Sequence, residues 1–381
     1  MRVAYICPGL GHGGAETQLI ALAARLRAAG HEVLVLTLLV GTARVAQLRS
    51  AGVDVIEHDK RMRLDLRLLR QLRRELRAFG PDLVQGMLFD GNLYARLAAC
   101  GLGVPVLSAE RSSAYALRRA QRWAHRLTRR LTDAVIANSQ AGAELARRMF
   151  PALPAERVHV VWNGIDFERA RARAAAARGL PEALGLDESA RLLCFVGSVK
   201  PEKDLLLALD TAARLFALAG ARWHLVLVGA AYDPVAGYRV REIEDSHRYA
   251  QRVEAALAAL PAGRVHRLGT IDQVLEVMAQ CHVLLSTSLR EGFPNVVLEA
   301  MAAGTPVVST RYSDIERILP EPWQVVPRRD AAALAAAVER AAACGPALAA
   351  AQSAWVRDNA GLDRMAEATL GVYRRCLQVR T

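Results

Sequence analysis

Glu291-Gly292-Phe293-Pro294-Asn295-Val296-Val297-Leu298-Glu299-Ala300-Met301-Ala302-Ala303-Gly304-Thr305-Pro306 is the stretch that decides the fold. An apolar run ending near Ser288 precedes it, a helix opens at about Pro294 and stops at Gly304, and Pro306 begins the next apolar run. A strand, a glycine-proline turn, a helix with a glycine stop and a second strand make one unit of a parallel sheet. Free backbone N–H groups at the helix start, at the positive end of its dipole, suit a diphosphate. Glu291 stands just before the helix and Glu299 lies eight residues on, roughly 12 Å away at the helical rise. That span fits carboxylates gripping hydroxyls at the two ends of a nucleotide sugar. By spacing alone, two solvated glutamates on an amphipathic helix would read the same way. The turn before the helix and the stop after it favour the ligand.

The same alternation runs outward in both directions. Short apolar runs read as strands at Val3–Cys7, Glu32–Leu38, Leu83–Gln85, Val104–Ser108, Ala134–Ala137 and Val158–Val161. A second series follows at Leu192–Val196, His224–Val228, Val265–Leu268, Val283–Thr287, Pro306–Thr310 and Gln324–Val326. Helical patterns such as Ala15–Ala29 and Leu64–Phe79 lie between them, which implies α/β architecture with helices on both faces of parallel sheets. Two series imply two doubly wound, Rossmann-like domains, at 1–166 and 190–352. An Arg/Ala-rich linker over 167–189 joins them, and a final helix over 353–381 could cross back to the first. A chain of 381 residues has the length for two ordinary cores.

Composition narrows the class. No apolar run approaches the ~20 residues of a membrane span, and Met1–Cys7 reads as a first strand and not a signal-peptide core. The six cysteines, Cys7, Cys100, Cys194, Cys281, Cys344 and Cys376, form no C-x-x-C pair. Buried free thiols in a reducing cytoplasm are expected. A net charge of +12, almost wholly arginine, calls for an acidic partner: nucleic acid, an anionic membrane or phosphorylated substrates.

The E-x7-E segment, with Gly-Phe-Pro-Asn inside it and Glu-Ala-Met-Ala-x-Gly-x-Pro-Val-Val after it, resembles family-4 retaining glycosyltransferases of the GT-B fold. Gly13-Gly14-Ala15-Glu16 is similar to that family's amino-terminal glycine loop, and Asn138-Ser139 and Asn163-Gly164-Ile165-Asp166 to its "NS" and "NG-x-D" elements. Val196-Gly197-Ser198-Val199-Lys200-Pro201-Glu202-Lys203 is similar to its phosphate-binding strand end. The resemblance implies two domains facing across a cleft and a UDP- or GDP-sugar as substrate, with no cofactor. It makes Glu291 the holder of the donor sugar hydroxyls and Glu299 that of the ribose. Around them Gly292, Phe293, Pro294, Asn295, Val296 and Val297 form the amide-rich turn. Lys203 would neutralise the diphosphate, with Ser198 beside it and Gly13-Gly14 approaching from the amino-terminal side. A lysine there is needed on electrostatic grounds, because two carboxylates beside a diphosphate repel it.

Three departures stand out. Ser198 replaces the family's usual arginine, with Lys200 a candidate substitute. Met87 stands in Gln85–Asn92 where the family carries histidines, so no catalytic histidine transfers. Asp90 and Asn92 in that loop, with Arg111, are the candidates for acceptor or sugar contact, Asp90 and Asn92 equally serving as caps. The long connection Tyr232–Arg252, including Gly237, Tyr238, Glu242, Glu244 and Asp245, reads as a solvated insertion or as part of a donor pocket. No D-x-D triplet or His/Cys cluster has metal spacing, so lysine, helix dipole and amides must stabilise the leaving group. Retention follows from the resemblance, with the departing phosphate oxygen helping to deprotonate the acceptor.

Two arginine-rich stretches remain. In Leu64–Phe79, Leu64, Leu68, Leu72 and Leu76 make one stripe, with Arg67, Arg70, Arg74 and Arg77 on another face. In Leu117–Leu131, Arg118, Arg122, Arg126 and Arg129 do the same, with Trp123 and Leu127 nearby. They read either as ordinary solvated faces or as contacts with anionic lipid. The second reading places the enzyme at the inner face of the plasma membrane with a glycan or lipid-linked acceptor. Nucleic acid is disfavoured, since no recognition motif or interleaved aromatics accompany them. Competing functions are a nucleotide-sugar epimerase of similar build and a donor-binding partner that has lost catalysis.

Overall fold

The computed structural model describes residues 1–378 apart from 12, 43, 112–116, 219, 221 and 230–239, and apart from the side chains of 240–246. Two compact units emerge: Met1–Gly164 with Leu362–Thr381, and Ile165–Gly361.

The first unit is a seven-stranded sheet of β1 (Arg2–Cys7), β2 (Glu32–Thr37), β3 (Asp54–Glu57), β4 (Leu83–Met87), β5 (Val106–Glu110), β6 (Ala134–Ala137) and β7 (Val158–Val160). Its order is β3-β2-β1-β4-β5-β6-β7, every pairing parallel. β3 does not figure among the expected strands: Asp54 and Glu57 bracket only two apolar residues at an edge, and a four-residue edge strand has little pattern to show. One face, with Val3, Tyr5, Val35 and Ile136, packs against the helices Gly14–Ala28 and Leu362–Gln378. The other, with Ala4, Ile6, Leu36 and Val84, packs against helices Leu66–Phe79 and Leu88–Ala99. Alternation of Cβ direction along each strand assigns neighbouring residues to opposite layers.

The second unit is a six-stranded parallel sheet of β8 (Arg191–Val196), β9 (Trp223–Val228), β10 (Val265–Gly269), β11 (Val283–Ser286), β12 (Val307–Thr310) and β13 (Val325–Val326), ordered β10-β9-β8-β11-β12-β13. The expected linker over 167–189 is instead built into this unit. Helix Phe167–Ala176 is N-capped by Asp166, and its Arg173 donates to Glu276 at 2.7 and 2.8 Å. Leu180 N–H donates to Gln280 at 2.8 Å. The expected final helix is two, because helical structure stops at Asn359 and resumes at Leu362; the second of them packs in the first unit.

Helix Ala331–Asn359 is long and apolar enough to cross a membrane. Gly345 (φ 41°, ψ −119°) breaks it before Pro346, and Leu334, Val338 and Ala341 pack in the second unit's core. The thiols correct one expectation: Cys7, Cys194, Cys281 and Cys376 are buried and free, but Cys100 and Cys344 are exposed.

Candidate active site

Strand order in the second unit reverses between β8 and β11, and ligands of open parallel sheets bind outside the carboxyl ends at such a point. Lys203 follows β8 and Glu291 follows β11. The structure brings them together: Lys203 Nζ lies 2.5 Å from Glu291 Oε1, which also accepts from Ser288 Oγ at 2.8 Å. Beside Lys203 a crevice of about 10 Å³ is lined by Phe195, Thr287, Ser288 and Val296.

The backbone carrying these side chains is clamped from several directions. Thr287 Oγ1 reaches the carbonyls of Lys203 and Asp204 at 3.0 and 2.9 Å. Thr310 Oγ1 donates to Ser288 O at 2.9 Å, and Ser313 Oγ to Gly292 O at 2.6 Å. Asp204 adopts a left-handed conformation (φ 48°, ψ 51°), and its buried carboxylate accepts from Arg329 Nε at 2.5 Å. Cross-links between short loops hold a lysine and a glutamate in register better than either loop alone, because rotamer freedom is removed before a ligand arrives. Thr287, Asp204 and Arg329 escape a reading by motif. The aspartate directly after Lys203 was the visible signal.

Glu299 sits on helix Asn295–Ala303, partly buried. Among the described residues its carboxylate has no hydrogen-bond donor, and burial pushes it above its ordinary range while Arg173 and Lys203 pull it down. Arg173 comes from the stretch expected to be linker. Of the turn amides, Asn295 N–H bonds Phe293 O at 3.1 Å and Val297 N–H bonds Pro294 O at 3.1 Å. Among the described residues Val296 N–H, which lies between them, has no backbone acceptor. Pro294 and Phe293 are buried, and Gly304 ends the helix in the left-handed conformation (φ 84°). Ser198 and Gly197 are partly exposed at the end of β8, and Lys200 is exposed. A cavity of about 200 Å³ opens beside them, lined by Gly197, Leu227, Gly229, Arg267 and Gly269. Gly229 (φ 143°) is obligatory there, since a Cβ would collide with Gly197 O. Of the insertion Tyr232–Arg252, Gly237 and Tyr238 lie outside the described residues, as do the side chains of Glu242, Glu244 and Asp245.

Candidates in the first unit divide differently. Gly13 precedes and Gly14 opens the helix Gly14–Ala28. The Gln85–Asn92 segment is not a loop: β4 runs to Met87 and a helix starts at Leu88. Asn92 is thereby buried, clamping β5 through Ala109 O (3.1 Å) and Ala109 N–H (3.0 Å), so both ends of its amide are engaged within the core. Asp90, in the first helical turn, is ion-paired with Lys60. Met87 is buried against Gln85, which accepts from Tyr373 at 2.6 Å. Arg111 donates to Asn163 at 2.9 Å, and Gly164 is held at both ends by Gln18 at 3.0 Å. Ser139 and Asp166 are helix N-caps, accepting from Gly142 and Arg169.

Two doubly wound units, with a paired lysine and glutamate and a second carboxylate at the switch point of one, place the chain in the class of doubly wound α/β proteins that hold ligands at strand ends. A family model described as Glycosyltransferase Family 4 matches residues 12–169, and one described as Glycosyl transferases group 1 matches 190–343. The chain belongs to this glycosyltransferase family. Among curated relatives, D-inositol 3-phosphate glycosyltransferase 2 of Catenulispora acidiphila is 31% identical over 185 residues, 48% of this chain and 41% of that protein. Alpha-maltose-1-phosphate synthase of Mycobacterium tuberculosis is 31% identical over 204 residues, 52% and 48%. The chain thus spans less than half the length of these relatives. Among solved structures, Anabaena Alr3699/HepE in complex with UDP superposes with TM-score 0.78 at 18% identity, over 98% of this chain and 100% of that one. A Rickettsia africae glycosyltransferase does so with TM-score 0.81 at 15% identity, over 99% of each. These likenesses show the GT-B fold.

Proposed function

We propose that the protein is a retaining glycosyltransferase that works without a metal ion, taking a sugar from a UDP- or GDP-sugar and delivering it to a hydroxyl of a lipid-linked or cell-surface glycan precursor. The observation that carries this is the Lys203–Glu291 pair at the β8/β11 switch point, with Glu299 nearby and, among the described residues, without a hydrogen-bond donor. Lys203 supplies positive charge where the departing diphosphate gains negative charge, and the amide of Val296 adds a donor at the helix start. Glu291, already held by Lys203 and Ser288, accepts hydrogen bonds from the sugar hydroxyls, and Glu299 from the ribose. In the transfer step the bond between the anomeric carbon and the phosphate oxygen breaks as the acceptor oxygen bonds the same face of that carbon. The acceptor proton passes to the departing phosphate oxygen, and nucleoside diphosphate leaves. Structural relatives crystallised with UDP and UDP-glucose favour a uridine donor.

The test is a thermal-shift screen against UDP- and GDP-sugars, followed by nucleoside diphosphate release with and without a polyprenyl-linked acceptor. A raised melting temperature with one donor class, and release that depends on acceptor, supports the reading. Conversion of the donor sugar to its epimer without acceptor would replace it with an epimerase.

A further inference from the structure

The chain's positive charge is not spread over the molecule. The first unit carries 28 lysines and arginines against 15 acidic residues, a net +13; the second carries 22 against 23, a net −1. Among the described residues, eight of the ten exposed large hydrophobic side chains also belong to the first unit. Charge and apolar exposure thus concentrate on the same unit.

Within that unit they meet on one layer. Helix Leu88–Ala99 packs on β4 and β5 and is almost wholly buried, and it is flanked by helix Leu66–Phe79 on one side and helix Arg119–Thr128 on the other. The two outer helices differ in what they expose. Leu66–Phe79 turns Leu68, Leu72 and Leu76 into the core and Arg67, Arg70, Arg74 and Arg77 outward. On Arg119–Thr128 the inward residues are His125 and Thr128. Arg119, Arg122 and Arg126 on the helix and Arg130 in the 3-10 turn directly after it are exposed, together with Trp123 (62% exposed) and Leu127 (77% exposed). No acidic residue occurs between Arg111 and Thr132, and among the described residues these four arginines have no carboxylate partner. The Arg126 guanidinium lies over the Trp123 ring, 5.7 Å from its centroid. An isolated solvated face gains nothing from an exposed indole and leucine, whose wetting is unfavourable. An indole ringed by cations matches the interfacial region of an anionic bilayer, where the ring sits at headgroup depth and each arginine meets a phosphate.

We propose that helix Arg119–Thr128 is a membrane-docking element that inserts Trp123 and Leu127 into an anionic lipid surface, with the arginines of Leu66–Phe79 adding long-range attraction from the same layer. The proposal gives the lipid-linked acceptor reading its location, but its test needs neither donor nor acceptor, so either can fail alone.

The full-length protein is sedimented at low salt with vesicles of equimolar phosphatidylglycerol and phosphatidylcholine, and with phosphatidylcholine alone. Binding is expected on the first and not on the second. Arg119, Arg122, Arg126 and Arg130 all changed to Gln should weaken it about a hundredfold, and the same change at Arg67, Arg70, Arg74 and Arg77 about tenfold. Trp123→Ser with Leu127→Ser, both at exposed positions, should weaken it while the melting temperature stays at the wild-type value. Lipids brominated near the headgroup should quench wild-type tryptophan fluorescence and lose that quenching in Trp123→Phe. Equal recovery on neutral vesicles, wild-type binding by the Trp123/Leu127 variant, or displacement from vesicles by stoichiometric duplex DNA would each overturn the assignment.

Discussion

The two sheets reverse their strand order at equivalent places, between β1 and β4 in the first unit and between β8 and β11 in the second, yet they equip those places in opposite ways. In the second unit the reversal point holds Lys203 and Glu291, a neighbouring carboxylate without a hydrogen-bond donor among the described residues, and a set of hydroxyl clamps on the surrounding backbone. In the first unit the matching position carries glycines after β1, and the polar residues after β4 are already spent: Asp90 on Lys60 and Asn92 on β5. The same topology therefore carries a lysine–carboxylate cradle once, and once a set of polar side chains bound up within their own unit. A diphosphate needs the first, because its charge must be met without water.

If this contrast is right, substitutions at the two points should have very unequal consequences. Glu291→Ala should cut turnover about a thousandfold, since it removes the sugar contact and leaves Lys203 uncompensated, whereas Asp90→Ala should cost less than about tenfold. Nucleoside diphosphate release under saturating donor measures both, and comparable losses would erase the distinction. Lys203→Ala should lower kcat/KM about a hundredfold, with Lys203→Arg recovering part of it. Full activity in Lys203→Ala would move the leaving-group role elsewhere.

Asn92 sharpens the comparison from the structural side. Because it bonds both backbone groups of Ala109 inside the core, Asn92→Ala should destabilise the protein by about 2 kcal/mol without changing kcat in the surviving fold. Chemical denaturation and kinetics together read this. A kcat defect at unchanged stability would return Asn92 to the acceptor site.

How much of this the sequence disclosed follows from range. Lys203, Glu291 and Glu299 were legible because each is fixed by its own strand-turn-helix punctuation, a local signal. The Thr287, Thr310 and Arg329 clamps were not, because each joins segments distant in the chain, and no period or motif records a long-range hydrogen bond. The sequence leaves Asn92 open between a site contact and a cap for a related reason: whether β4 ends at Gln85 or Met87 decides between loop and buried helix, and a two-residue boundary lies below what a pattern resolves. The Arg/Ala-rich segment was misread as linker because arginine looks solvated in sequence. Arg173 is half-sequestered by Glu276, a partner more than a hundred residues away.

Glu299 offers the smallest effect and the most specific test of the cradle. Burial holds its carboxyl above the ordinary range, against the pull of Arg173 and Lys203. The folded protein therefore binds this proton more tightly than the unfolded chain does. The linkage slope is then negative: Glu299 costs no stability below the unfolded value of about 4.3, and its cost grows as pH rises through the folded value and persists above it. Glu299→Gln keeps the shape and removes the charge. It should melt about 2 °C above wild type at neutral pH, and the gain should vanish on acidification to below the unfolded value. Donor affinity should meanwhile fall about tenfold, because an amide accepts from a diol less well than a carboxylate. Stability and binding moving in opposite directions would mark Glu299 as a group kept at a structural cost for its ligand. A variant that is both less stable and unchanged in donor affinity would make it an ordinary structural glutamate, and the cradle would then rest on Lys203 and Glu291 alone.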